Sequence, residues 1–295
     1  MDKKKYKKHI GDRKDARRVR NINGMNYIMH DILKKRNDNE VYGNYRLDVT
    51  ELKKYVENYN AHNSDRHLTY FHVFSLAIAK TIYNRPYLNR FIVNGHFYDR
   101  NEVTLAFTAK TNFTDNAQEV MQIMKIEEED NIFTVSDKIS GVVKKTRESN
   151  TSNTDDLIET VAKLPKLLRY YVVGIYKWLD KHDLLPRSMT KEILYYSSAI
   201  LSNLGSIGCK EPIHHHLSSF GTNSLIITMG KIYKQEIIND ENKKEIRDFC
   251  DFGITLDERI ADGFYFIKSV QLLEYILKNP QLLEENANEK IKIEK

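Results

Sequence analysis

What most constrains the fold is the order in which two apolar periodicities follow one another along the 295 residues. Stretches repeating every second residue, read as strands, are interleaved with stretches repeating every third or fourth, read as helices. "MNYIMHDILKKR" has helical spacing. "VYGNYRLDVTELKKYVENYNA" predicts a strand ending at Asp48 and then a helix capped by Thr50. "LTYFHVFSLAIAKTIYNRP" predicts an apolar helix that stops before Pro86, because the residue ahead of a proline prefers extended geometry. "RFIVNGHFYDRNEVTLAFTAK" predicts a hairpin turning at Asn94-Gly95, followed by another strand. An amphipathic helix is expected near 115–130, then a polar exposed stretch, "TRESNTSNTDD", and a helical segment over 155–187. Strand–loop–strand follows from 193 to 233. "DFGITLDERIADG" adds a strand and a turn, and "FYFIKSVQLLEYILKNPQLL" a final helix. No internal repeat interrupts this order. The expectation is one α/β domain, layered in the α+β manner around a mixed sheet.

Charge sharpens the domain plan. The chain carries a formal +5, but residues 1–20 hold ten Lys/Arg against three Asp/Glu, which leaves the remainder at −2. That places the excess in a leader and not on a binding face. Such a leader either solubilises or touches an anionic partner. No basic stripe with interleaved aromatics follows it, so no nucleic-acid partner is expected. Two cysteines, Cys209 and Cys250, lack CxxC spacing and suit a reducing, cytoplasmic setting. The plan is therefore an unstructured leader over 1–20, a domain over 21–285 with a helical insertion at about 155–187, and a frayed end over 286–295. In the insertion, Leu167, Leu168, Tyr171, Val172, Ile175 and Leu179 share a stripe. A stripe of this kind packs on the core, covers a hydrophobic substrate tunnel, or lies on a membrane; membrane contact is kept open but not favoured.

Three stretches, in order, carry a resemblance. "ILSNLGSIGCKEP" is similar to the "SNLG.IG" loop of the dihydrolipoyl acyltransferase catalytic domain of 2-oxo acid dehydrogenase complexes. "TLDERIADG" looks like that family's "S.DHR..DG" active-site turn, and "YRLDVTELKKYV" resembles its early strand and helix. Chloramphenicol acetyltransferase shares the fold. The resemblance spans roughly residues 25–285. It implies a chloramphenicol acetyltransferase-like two-layer sandwich, assembled as a homotrimer with active sites between subunits. It also implies coenzyme A or acyl-CoA as substrate, with a small-molecule or carrier-borne acyl acceptor. In the family the turn histidine takes the thiol proton, the turn aspartate is structural and usually tied to an arginine, and the loop serine steadies the tetrahedral oxyanion. By motif the serine falls on Ser202 and the aspartate on Asp262, with Arg36 a candidate arginine. The histidine falls on Glu258.

That exchange matters chemically. A thiol's reference pKa is about 8.5, imidazole's about 6.5 and glutamate's about 4.3. Glutamate therefore starts roughly 3 kcal/mol worse than histidine as a base for a thiol, on the order of a hundredfold in rate. Burial raises a carboxylate's pKa and could close the gap, whereas an ion pair with Arg259 would widen it. Three readings stay open: Glu258 as a tuned base, Glu258 as a structural carboxylate beside another base, or a disarmed trimeric binding or scaffold protein of the same fold. Asp262-Gly263 also has the simpler reading of a helix cap after a tight turn.

The candidate replacement base lies in the run His214-His215-His216. In an extended chain His214 and His216 share a face and His215 points away. One of these imidazoles, His215 or His216 among them, could supply the base, or all three could make structural hydrogen bonds. Zinc held by His214, His216 and Cys209 falls short of a full ligand set, so no metal is expected. Ser202 could equally bond the backbone of its own turn. "TVSDKISG" resembles the Asp-Lys hairpin on which lipoyl domains carry their cofactor. It lies inside the catalytic-domain match, with no separate β-rich domain ahead of it, so it is read as an ordinary strand and turn without lipoyl attachment.

Overall fold

The longest strand, β10 (Lys244–Asp257), organises the sheet. The computed structural model describes residues 8–110, 119–149, 160–239 and 241–292. Antiparallel to the C-terminal part of β10 lie β2 (Glu40–Asp48) on one side and β8 (Leu225–Met229) on the other, and β9 (Tyr233–Ile238) pairs with its N-terminal part. From β8 the sheet runs through β7 (Ala199–Asn203) and β5 (Val103–Lys110), both parallel joins, to an antiparallel β6 (Glu119–Ile126). Parallel and antiparallel ladders in one seven-stranded sheet make it mixed.

Helices cover one face of this sheet. They are α2 (Thr50–His62), α3 (Tyr70–Asn84), α4 (Ile132–Ser149) and α6 (Gly263–Lys278). Their apolar stripes meet Leu105, Phe107, Leu201, Ile227, Ile254 and Leu256 in one core. The central helix α3 is buried from His72 through Ile82, so it cannot rely on solvent for its polar groups. Thr69 and His72 close a capping box at its start, and the Ser136 hydroxyl meets His72 Nδ1 at 2.9 Å. Lys80, without solvent exposure, donates from Nζ to the Asn286 carbonyl at 2.6 Å.

Two further helices, α1 (Gly24–Ile32) and α5 (Lys166–Lys181), stand outside that layer. A second sheet holds β1 (Ala16–Arg18), β4 (His96–Arg100) and β3 (Arg90–Val93), in that order. The β3–β4 hairpin turns where expected. Asn94 and Gly95 have φ of 51° and 76°, the left-handed pair that a two-residue hairpin turn of matching twist requires.

Four expectations are corrected. Residues 119–126 form β6 and not a helix, since Val120, Met124 and Ile126 are buried at even spacing, the last two in the main core. "TVSDKISG" lies within α4, where Val135 and Ile139 enter the core four residues apart, so it is neither strand nor turn. The basic leader is built into the fold from residue 8: Ala16–Arg18 pairs with β4, and Arg13 binds Asp180 at 3.0 Å; residues 1–7 lie outside the described residues. The end of the chain is docked through residue 292. Ala287 is buried and its N–H donates to the Asp130 carbonyl at 2.7 Å. The insertion contributes α5, and its first residues, 155–159, lie outside the described residues.

Burial pushes the His72 imidazole down to about 4, with His67 adding to the effect. An unfolded chain would protonate this histidine near 6.5, so the folded state binds fewer protons between those values. Its contribution to stability is whole above about pH 6.5 and falls away as pH drops toward 4, by about 3 kcal/mol. Urea unfolding at a series of pH values should show that loss, and His72→Gln, which keeps a capping-box acceptor without the titration, should flatten it by the same amount.

Candidate active site

Where β2 and β10 pair, the face of the sheet away from the helices is polar, and the sequence writes it in alternation. In β2 every second residue is Glu40, Tyr42, Asn44 and Arg46; in β10 it is Asp251, Gly253, Thr255 and Asp257. The register sets Arg46 opposite Asp251, Asn44 opposite Gly253, Tyr42 opposite Thr255 and Glu40 opposite Asp257. Paired residues share a face, so one polar ladder results. It continues across β8 and β7, where Thr228 is opposite Gly253 and Ser202 is opposite Thr228.

An extended loop, residues 212–217, lies over this ladder. His214 Nε2 meets Asn44 Oδ1 at 2.9 Å, and its Nδ1 meets the Thr255 hydroxyl at 3.4 Å. Room for it comes from Gly253, where a β-carbon would stand 2.6 Å from Thr228 Oγ1 and 3.4 Å from the His214 ring. His216 Nδ1 lies 2.8 Å from Glu40 and 3.0 Å from the Tyr42 hydroxyl, which itself donates to Glu40. Glu40 also takes the Leu217 N–H at 2.6 Å, so one buried carboxylate pins the end of the loop. His215 is exposed. Burial, and then His215, push the His214 imidazole below its ordinary value, which keeps it neutral at pH 7. The hydrogen bond to Glu40 drives the Tyr42 phenol up to about 12.

At the far end of β10 the chain turns through Glu258–Ile260. Asp257 has no solvent exposure and accepts from the Arg259 side chain twice, at 2.8 Å from Nε and 2.7 Å from Nη2, and from its backbone N–H at 3.2 Å. Arg259 also donates to the carbonyls of Leu33 and Lys34. Arg36 approaches the same carboxylate to 3.8 Å and donates to the carbonyls of Ser218 and Gly221. The arginine expected to hold Asp262 therefore sits on Asp257 instead. Asp262 is exposed and caps α6, accepting from Tyr265 N at 2.7 Å. Glu258 is exposed, and among the described residues no hydrogen bond to its carboxylate is found; Arg259 is committed to Asp257 and leaves it alone.

One chain does not bring Ser202 and Glu258 together. Glu258 lies five residues along β10 from Gly253, which is level with Ser202 two strands away. At about 3.4 Å per residue and about 4.8 Å per strand, their Cα atoms are on the order of 19 Å apart. Among the described residues no cluster of three or more His, Cys, Asp or Glu is placed to hold a metal ion. Cys209 donates to the Glu211 carbonyl at 2.9 Å, and its histidine neighbours are bound to the sheet. Sequence reasoning missed Glu40, Tyr42, Asn44, Thr255 and Asp257. The signal was the two-residue alternation of "EVYGNYR" and "DFGITLD", which marks a polar sheet face.

No family model and no curated protein matches this sequence. Solved structures match it through the fold. A probable dihydrolipoamide acetyltransferase from Listeria monocytogenes is 17% identical with a TM-score of 0.59, over 88% of this chain and 94% of that one. A dihydrolipoamide acetyltransferase from Azotobacter vinelandii is 13% identical with a TM-score of 0.60, over 90% and 93%. A chloramphenicol acetyltransferase is 10% identical with a TM-score of 0.52, over 90% and 98%. The chain thus has the mixed-sheet, two-layer fold of these acyltransferases.

Burial separates the roles of neighbouring acids in the turn. Asp257→Asn should cost about 3–5 kcal/mol, because it leaves buried guanidinium groups uncompensated. Asp262→Ala should cost about 1 kcal/mol through loss of the helix cap. Glu258→Gln should change stability by less than about 0.5 kcal/mol. Denaturant midpoints of the three variants check this ranking, and equal losses would refute it.

Proposed function

We propose that this protein is a CoA-dependent acyltransferase related to dihydrolipoyl acyltransferase catalytic domains. It moves an acyl group between CoA and a small-molecule or carrier-borne acceptor, with Glu258 where the family has its histidine. The observation that carries this reading is the coincidence of fold and motif order: the Ser202 loop and the Glu258–Asp262 turn occur on a chain that overlays acetyltransferase cores over about nine-tenths of its length. In the Azotobacter vinelandii protein a serine, and a histidine and an asparagine four positions apart, have been studied for their role in the catalytic mechanism. Glu258 and Asp262 have that same spacing.

The working unit in this reading is a homotrimer. Ser202 and Glu258 are too far apart to cooperate within one chain, so the site pairs Ser202 of one copy with Glu258 of the next. Glu258 takes the proton of the acceptor thiol, and the resulting thiolate attacks the thioester carbonyl carbon. The Ser202 hydroxyl donates to the oxyanion of the tetrahedral intermediate. The carbon–sulfur bond to CoA then breaks, and the departing thiolate recovers the proton from Glu258. The neutral His214 lines the polar face and is the residue to examine should another base be at work.

Release of CoA from short acyl-CoA donors, with thiol, hydroxyl and amine acceptors, tests this directly. Ser202→Ala should lower kcat/KM by about 10²-fold and Glu258→Gln by at least about 10²-fold. No CoA release above background, together with no CoA binding by calorimetry, would sink the proposal. Glu258, exposed and without a hydrogen-bond partner for its carboxylate among the described residues, favours one second reading, a disarmed scaffold of the same fold. Its signature is an inert native protein in which Glu258→His creates activity.

A further inference from the structure

Helix α5 is apolar on the wrong side. The body of the protein takes Val172, Tyr176 and Leu179, half-buried, and Asp180. The attachment is narrow: the Tyr176 hydroxyl donates to the Met189 carbonyl at 3.0 Å and its ring meets Phe220, while Arg13 holds Asp180. Alongside this seam, and turned away from the body, runs a second stripe, Leu167, Leu168, Tyr171, Ile175 and Trp178, at the spacing of one helix face. It is open to solvent, with Leu167 69% and Trp178 56% exposed. A helix of a soluble body normally turns polar residues outward.

Cations border the stripe. Lys166, Lys177 and Lys181 have no ionic partner among the described residues, and the one carboxylate of the helix, Asp180, is buried and already held by Arg13. At its C-terminal end the helix meets a cavity of about 290 Å³ lined by Lys34, Lys35, Arg36, Lys177, Lys181 and Arg259. Arg36 is buried in its floor, and its Nε lacks a hydrogen-bond partner; two guanidinium groups there share the single carboxylate of Asp257. The basic leader is fastened at the same place, Lys14 donating to the Leu185 carbonyl and taking Asp183 through its N–H. Among the described residues no helix is long and apolar enough to cross a membrane.

We propose that α5 is an interfacial helix that seats this protein on an anionic phospholipid bilayer. The apolar stripe enters the acyl boundary, Trp178 and the tyrosines take the headgroup level, and the lysines and the basic cavity meet lipid phosphates. Self-association of α5 would set lysines against lysines, whereas an anionic surface answers them. The proposal stands apart from the acyl-transfer reading.

Trp178 is the one tryptophan of the chain, so its fluorescence reports this helix. The full-length protein is mixed with vesicles of equal parts phosphatidylcholine and phosphatidylglycerol, and separately with pure phosphatidylcholine, at low salt. The expected result is a blue shift of emission and co-sedimentation with the anionic vesicles only. Lys166→Glu with Lys177→Glu should weaken partitioning on the order of tenfold or more. Leu168→Ser with Ile175→Ser should abolish the blue shift, with circular dichroism confirming the fold. Absence of both signals overturns the proposal. So does an emission already blue and shielded from iodide in an oligomer without lipid, since a second copy would then cover the helix.

Discussion

The carboxylate of Asp257 lies beyond the reach of solvent with two guanidinium groups around it, and the geometry of the candidate site follows from that contact. Arg259 doubles back onto it from two residues ahead, which forces the chain into a tight turn directly after β10. Arg36 ties the same point to residues 218–221, and Arg259 ties it to residues 33 and 34. Three separate segments therefore converge where the sheet ends. A lone buried carboxylate would be costly; charge-assisted hydrogen bonds offset that cost only while all partners stay in place. Among the described residues the arrangement leaves Glu258 and Asp262 outside the ion pairs of the turn. One is left open to solvent and the other caps the helix that follows.

The two faces of the sheet divide the work. Helices α2, α3, α4 and α6 bury one face in an apolar core, which supplies stability through area removed from water. The other carries the polar ladder from Arg46–Asp251 to Glu40–Asp257, closed in part by the loop of His214 and His216. Rigid strands fix those side chains to one another more tightly than loops would. Yet the ladder is incomplete as a site, since Ser202 and Glu258 sit at different levels of the sheet. In the reading proposed above, a second copy supplies what one chain separates.

Much of the architecture was legible because period and turn chemistry spoke locally. The helix over 70–84, the Asn94-Gly95 hairpin and the strand-then-helix of residues 40–62 needed no tertiary information. The segment 119–126 was misjudged because its apolar residues are dense enough to suit either period, and only pairing with β5 settles which. The leader and the chain end were misjudged for another reason. Their charge suggested solvent, but the residues that hold them in place, Asp180 and Asp130, come from distant parts of the sequence. At the turn, the motif predicted a break between a strand and a helix at Glu258–Asp262, and the chain turns there. It could not reveal that Arg36 belongs to Asp257, because neither spacing nor residue type distinguishes one aspartate from the other five residues on.

The central claim is that acyl transfer takes place between copies, with Ser202 from one chain and Glu258 from its neighbour. Ser202→Ala and Glu258→Gln chains, each expected to be about a hundredfold slower alone, can be unfolded together, refolded as an equal mixture and assayed for CoA release. In a closed three-fold assembly each mixed trimer regains one intact site, so the mixture should recover about one quarter of the native rate. A mixture as slow as either variant alone would contradict the account.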